Sequence, residues 1–462
     1  MQVSTSDDPY GDYAARVNRL RGQYDAIPAG APVRLAKKTS NLFRERTASE
    51  APGLDVRSFD GVLSVDTERR TADVQGMTTY EHLVAATLPH GLMPLVTPQL
   101  KTITLGGAVT GLGIESTSFR NGLPHESVLE IEMLTGDGRI VTATPDGEHR
   151  DLLYGMPNSY GTLGYGLRLT IELEPVRPYV RLTHLPFWSG TAVAEAISNI
   201  AVSGEHEGER VDFLDGTAFS PGEIYLTLGR FADEAPHGTS DYTGQQIYYR
   251  SIAERHTDTL TIQDYLWRWD TDWFWCSGAF GVQNPHVRRF VPRRYLRSDT
   301  YWKILRFEQQ HGWKTALDRR RGKPETERVV QDIEVPAGAL PDFLAFFDRE
   351  VGMRPVWLCP LRQRDPATHW PLYELRADET YVNVGFWGTV PLSPGQAPDH
   401  HNRLVEREVE RLGGRKSLYS TAHYDEADFW RIYNGAAYDV LKKTYDPDGR
   451  LLDLYEKTVR GR

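Results

Sequence analysis

LGGAVTGLGIES, residues 105–116, sets Gly106, Gly107, Gly111 and Gly113 among Ile114, Glu115 and Ser116, with Thr104 just before and Ser118 just after. Such a run builds a surface for a pyrophosphate. Glycines let the backbone approach a bulky anion, adopt positive φ, and aim successive N–H groups into a concavity that replaces the anion's water. Taken alone it also reads as a glycine-rich turn between strands. The dinucleotide pattern GxGxxG does not fit GLGIES: its sixth residue is Ser116 and no βαβ unit is readable around it, although Glu132 lies near the distance of a ribose-binding acid.

Three further segments favour the pyrophosphate reading. In VRLAKKTSNLFR, residues 33–44, a short apolar strand runs into Lys37, Lys38, Thr39, Ser40 and Asn41. Two cations followed by three small hydrogen-bonding side chains suit a loop that grips phosphate by charge and by backbone amides. Residues 120–144 give a loop carrying His125, an alternating strand, a Gly-Asp-Gly turn and a second strand. Residues 158–173 give a turn holding Gly161, Thr162 and Gly164, then another alternating strand.

In this order the segments resemble the FAD-binding domain of the vanillyl-alcohol-oxidase-type (PCMH-type) flavoproteins. They resemble most the Δ24-sterol reductase (Diminuto and seladin) branch through KKTSNLF, TPQLKTITLGGAVTGLGIES, LLYGMPNSYGTLGYG, VVQDIEVP, RPVWLCPL and EADFWRIYNGAAY. The resemblance spans roughly residues 33–440. It implies an α+β chain, with a two-subdomain PCMH-type FAD-binding domain over 10–178, an α+β substrate-binding domain over 179–425, and a C-terminal helical segment, 426–462, returning to the FAD domain. The flavin contacts it implies are Lys37, Lys38, Thr39, Ser40, Asn41, Thr104, Gly106, Gly107, Gly111, Gly113, Ile114, Glu115, Ser116, Ser118, His125, Gly161, Thr162 and Gly164. A His on a strand lead-in, such as His125, is more often a capping or core residue. Covalent flavin attachment in the superfamily often uses a His in the first phosphate loop; here no His occurs before His82, so the FAD is expected to be non-covalent.

Composition narrows the class. With 462 residues, 40% of them hydrophobic, the chain can hold two domains. A net charge of −10 argues against general nucleic-acid binding. Two cysteines, Cys276 and Cys359, make neither a disulfide framework nor a metal knuckle, and adjacent His400 and His401 at the start of an exposed helix cannot share a helix face, so no metal is expected. The acidic N-terminus lacks the pattern of a signal peptide and no run of about eighteen apolar residues occurs, so a cytoplasmic protein is expected, peripheral at the inner face of the membrane if it docks there. Helices are predicted over 10–24, over 78–91 with Thr78 or Thr79 as cap and Gly91 as stop, over 191–202, over 338–352, and from Glu426 through Tyr445.

The segment 264–276 carries Trp267, Trp269, Trp273 and Trp275, followed by Arg288, Arg289, Arg293, Arg294 and Arg297. Two readings stand: an edge that docks on an anionic membrane, or an aromatic pocket lining beside an unrelated solvated basic loop. Candidates for proton chemistry are Glu308, Tyr381, Asn383, His423 and Tyr424, among which the sequence does not choose. The resemblance implies a reductase that takes hydride from NADPH onto FAD and reduces a carbon–carbon double bond in a lipid. An isolated alkene needs a proton donor that creates positive character on the more substituted carbon. A 10-methylene fatty acyl chain, made by a lipid methyltransferase and reduced to the 10-methyl (tuberculostearic-type) product, is the expected substrate, as in bacterial 10-methylene fatty acid reductases. A sterol Δ24 bond is the alternative, and an oxygen-using alcohol oxidase of the same fold is a second one.

Overall fold

The computed structural model describes residues 8–37, 43–44, 53–311 and 324–461. Lys38, Thr39, Ser40 and Asn41 of the expected phosphate loop lie outside them. The architecture is α+β, dominated by two antiparallel sheets.

The first sheet runs in the order Val62–Asp66, Thr71–Gln75, Gly164–Pro175, Val128–Thr135, Ile140–Ala143, and Leu92–Pro94 joins Gly164–Pro175 beyond the end of Thr71–Gln75. Along Gly164–Pro175 every second side chain, Leu167, Leu169, Ile171 and Leu173, is buried, the period of two that a pleated strand imposes. The helix Pro9–Asp25 starts where the Asp8 side chain accepts the Gly11 N–H and Pro9 fills the first turn. Tyr80–Thr87 is capped by Thr79 and continues as a 3₁₀ turn, Leu88–His90, that stops at left-handed Gly91.

The second sheet has eight strands in the order Thr257–Thr261, Tyr179–Phe187, Glu223–Ala232, Phe213–Ser220, Val356–Leu361, Tyr381–Pro391, Thr326–Pro336, Arg415–Lys416. Helices Gly190–Ser203, Leu340–Glu350 and His400–Arg411 cover one face, packing Val193, Phe343 and Val405 onto Ile333, Val384 and Phe386. Alternation therefore puts Asp332, Glu334, Asn383 and Trp387 on the opposite face, and that face turns toward the first sheet. The first turn of His400–Arg411 is not exposed as expected: His401 and Asn402 are buried where Glu327 accepts both their backbone N–H groups.

The helix expected from Glu426 through Tyr445 is two helices, Glu426–Ile432 and Gly435–Tyr445. Asn434, at φ 51°, both breaks the first and caps the second through the Ala437 N–H. The chain end then lies against the first sheet's domain. Lys442 Nζ donates to the Thr162 carbonyl at 2.8 Å and Arg450 Nε to the Ala31 carbonyl at 3.0 Å. Among the described residues no helix is long and apolar enough to cross a membrane.

Candidate active site

The glycine run is a short helix, Leu105–Gly111, rather than a turn between strands. Thr104 caps it, its hydroxyl accepting the Gly107 N–H at 3.3 Å. The four glycines do not use positive φ; Leu112 does, at 58°, closing the helix. What they provide is closeness. A Cβ on Gly106 would stand 2.8 Å from the Gly76 carbonyl oxygen, and one on Gly76 would stand 2.1 Å from that of Gly166, so these glycines allow backbone to pack on backbone. A Cβ on Gly107 would meet only the Thr104 hydroxyl; its other side is open and exposed.

That opening is a cavity of about 960 Å³ between the two sheets, at the upper end of small-molecule sites. Thr104, Gly106, Gly107, Gly111, Gly113, Ile114, Gly161, Gly164 and Lys37 line it, together with Arg34, Arg44, Arg450 and Lys457. Its far wall is Trp273, Phe274, Trp357 and Trp387 from the second domain, with Asp332 and Glu334 among them and Phe43 of the first domain packed against Trp273. Phe43 stacks on Trp273 at 5.7 Å and Phe274 packs on Trp387 at 4.4 Å. Leu112, Tyr160, Trp273 and Phe274, four non-glycine residues held in the left-handed region, all line this space. Backbone strain of that kind persists only where surrounding packing enforces it, and it gathers at functional sites.

The two acids are the site's titratable core. Burial pushes the Asp332 carboxyl up to about 6, although it accepts from Asn383 Nδ2 at 3.2 Å and from the Tyr419 hydroxyl, which itself accepts from Trp387 Nε1 at 2.8 Å. Burial, reinforced by Asp332, pushes Glu334 up to about 8 while the Tyr373 hydroxyl donates to it. Gly385 lies opposite Asp332 in the sheet, and a Cβ there would stand 2.5 Å from the carboxyl oxygen. A carboxyl raised in this way favours its neutral form near pH 7, the form that can donate a proton.

The remaining sequence candidates fall elsewhere. Glu115 and Ser116 sit behind the cavity wall: Glu115 Oε1 pairs with Arg268 Nη2 at 2.8 Å, Ser116 donates to Glu115, and Arg268 also holds Asp215 at 2.9 Å. Ser118 Oγ accepts the Glu115 N–H. His125 is buried edge-on against Trp370, and burial lowers it to about 3. The Thr162 hydroxyl donates to the Ser159 carbonyl. Asn383 touches the site through Asp332, whereas the Tyr381 hydroxyl accepts the Arg376 N–H. His423 faces Asp399, Tyr424 packs on Tyr433, and Glu308 lies on the helix Ser298–His311; none of the three lines the cavity. The sequence reading did not single out Asp332 or Glu334. Their signal was present in VVQDIEVP, an apolar strand with two acids at alternate positions.

The tryptophans do not form a membrane edge. Trp267, Trp269 and Trp273 are buried and Trp275 half-buried: Trp273 stacks on Phe43 and Trp269 on Phe274, and the left-handed turn at Trp273 and Phe274 brings Phe274 onto Trp357 and Trp275 onto Trp387. Arg288 is likewise buried, paired with Asp272 at 2.6 Å.

Comparison with known proteins agrees with this geometry. Residues 26–144 match the FAD binding domain family. The chain is 28% identical to the Delta(24)-sterol reductase of Arabidopsis thaliana over 450 residues, covering 88% of this chain and 77% of the relative. It is 26% identical to the Homo sapiens Delta(24)-sterol reductase, covering 86% and 76%, and 29% identical to cytokinin dehydrogenase 6 of Oryza sativa subsp. japonica, covering 82% and 71%. The chain carries an FAD-binding domain and is an oxidoreductase related to the Delta(24)-sterol reductases. The cavity fits the cofactor: an open backbone at Gly107 and a cationic rim suit the pyrophosphate, and the aromatic wall suits a flat ring system.

Proposed function

We propose that this protein uses FAD and NADPH to reduce an isolated carbon–carbon double bond in a lipid, with Glu334 as the proton donor. The observation that carries the reading is geometric: the buried Glu334 carboxyl, pushed up to about 8 by that burial, lines the same cavity as the glycine backbone. FAD bound there supplies hydride. Glu334 supplies the proton that gives the more substituted alkene carbon positive character, and Tyr373 donates a hydrogen bond to the carboxylate that results. Burial, reinforced by Asp332, favours the protonated form of Glu334, and Trp357 and Trp387 line the cavity as aromatic partners for a developing cation. Substrates that yield a tertiary cation are favoured. The sterol Δ24 bond has the relatives' names in its favour; a 10-methylene fatty acyl chain, which would link the enzyme to a lipid methyltransferase, meets the same chemical demand.

Anaerobic stopped flow tests this. NADPH is expected to bleach the flavin and one of the two alkenes to restore its colour, with the saturated product seen by mass spectrometry. Glu334→Gln is expected to slow the alkene step about 100-fold or more and to leave bleaching intact. Because the acid must hold its proton, the wild-type alkene step is expected to fall as pH rises through about 8, a limb the variant lacks. Rapid reoxidation by oxygen with alcohol turnover, and none by either alkene, would replace the reductase by an oxidase.

A further inference from the structure

The surface next to this site carries an unusual pairing of charge and apolar area. Of the eleven exposed large hydrophobic side chains among the described residues, five fall within 287–307: Val287, Phe290, Tyr295, Ile304 and Phe307, with Phe290 74% exposed. Residues 285–311 hold seven Lys and Arg against two acids. Arg288 is buried on Asp272, and Arg293, Arg297 and Lys303 pair with Asp241, Glu81 and Asp299, so the cations presented among the exposed rings are Arg289 and Arg294. Arg289 stacks over Phe290 at 4.7 Å and Arg294 over Tyr295 at 4.9 Å, so cation and ring are presented together. The helix Ser298–His311 turns Ile304 and Phe307 outward, while Trp302, on its inner side, meets Phe43 of the cavity wall at 5.1 Å.

We infer that residues 287–307 dock the protein on an anionic lipid bilayer, placing the cavity wall against the membrane that holds its substrate. The inference deepens the lipid-reductase reading and rests on it for the substrate's location. Exposed aromatic and aliphatic side chains enter the acyl boundary, and arginines pair with lipid phosphate, which makes attachment both charge-dependent and apolar. A water-insoluble alkene then reaches the cavity without crossing bulk water.

The test uses the full flavin-loaded chain and vesicles of phosphatidylcholine with or without 30% phosphatidylglycerol. Sedimentation with the anionic vesicles is expected, weakening as salt rises, with little binding to the neutral ones. Phe290→Ser with Phe307→Ser, and separately Arg289→Glu with Arg294→Glu, are each expected to reduce binding at least tenfold while flavin content, thermal midpoint and turnover of detergent-dispersed substrate stay unchanged. Equal binding by wild type and both variants, or equal binding to both vesicle types, overturns the inference. So does wild-type self-association in sedimentation velocity that the Phe variant abolishes, which would make the surface an interface between copies. Vesicle binding is read without turnover, so the membrane inference and the reductase reading fail separately.

Discussion

Gly106 and Gly107 are neighbours with different reasons to lack a side chain. At Gly106 a methyl would strike the Gly76 carbonyl, so Gly106→Ala is expected to cost about 1–3 kcal/mol of stability. Gly107→Val would disturb only the Thr104 cap, about 1 kcal/mol, but would place two methyls where the cavity needs bare backbone. A folded protein with little bound flavin is expected, read from absorbance per protein after desalting; full flavin occupancy would show that Gly107 is not at the pyrophosphate. The glycines and Thr104 were legible in the sequence because exposing backbone to a ligand demands particular residue types side by side. Their reason was legible only in part: close approach and positive φ were both expected, and only the close approach is observed. Asp332 and Glu334 were harder to see, since two acids in an apolar strand gain meaning only once the sheet's other face is known to close a cavity.

At the scale of elements, the strand face and the turn decide what a residue type does. The arginines of 288–297 look alike in sequence, yet Arg288 is buried on Asp272 while Arg289 and Arg294 stand on the surface over aromatic rings. Arg288→Ala strands the Asp272 carboxylate in the interior and is expected to cost about 3–5 kcal/mol. Arg289→Ala is expected to stay within about 0.5 kcal/mol of wild type in thermal or urea unfolding. Equal effects at the two positions would contradict the division into one core and one surface group. The helices over 9–25 and 190–203 were readable from their apolar pattern, and the one starting after Thr79 from its cap and stop residues. The inward fold of the tryptophans was one of two readings the sequence left open, because choosing it depends on two consecutive left-handed residues without a glycine, a conformation no local pattern announces.

For the whole molecule the critical joint is Arg268. It binds Glu115, which follows cavity-lining Ile114 in the FAD-binding half, and Asp215 in the eight-stranded sheet, and it is fully buried. Trp269 and Trp357 both donate indole N–H groups to Asp215 at 3.2 Å, which fixes part of the aromatic wall to the same point. Contacts this remote in sequence leave no local trace, so the relation between the two halves was the least legible part of the fold. One guanidinium faces two carboxylates here, one charge short of neutralising both, and burial, reinforced by Asp215, raises the Glu115 carboxyl. Arg268→Met is therefore expected to lower stability by about 3–5 kcal/mol and to weaken flavin retention, because both cavity walls lose their common anchor. Adding Glu115→Gln and Asp215→Asn to that variant removes the uncompensated charges and is expected to recover much of the stability but less of the flavin affinity, since the wall is still untied. Calorimetry and flavin titration of the single and triple variants separate the two effects; an Arg268→Met protein with wild-type midpoint and flavin affinity would mean that the halves are held together elsewhere.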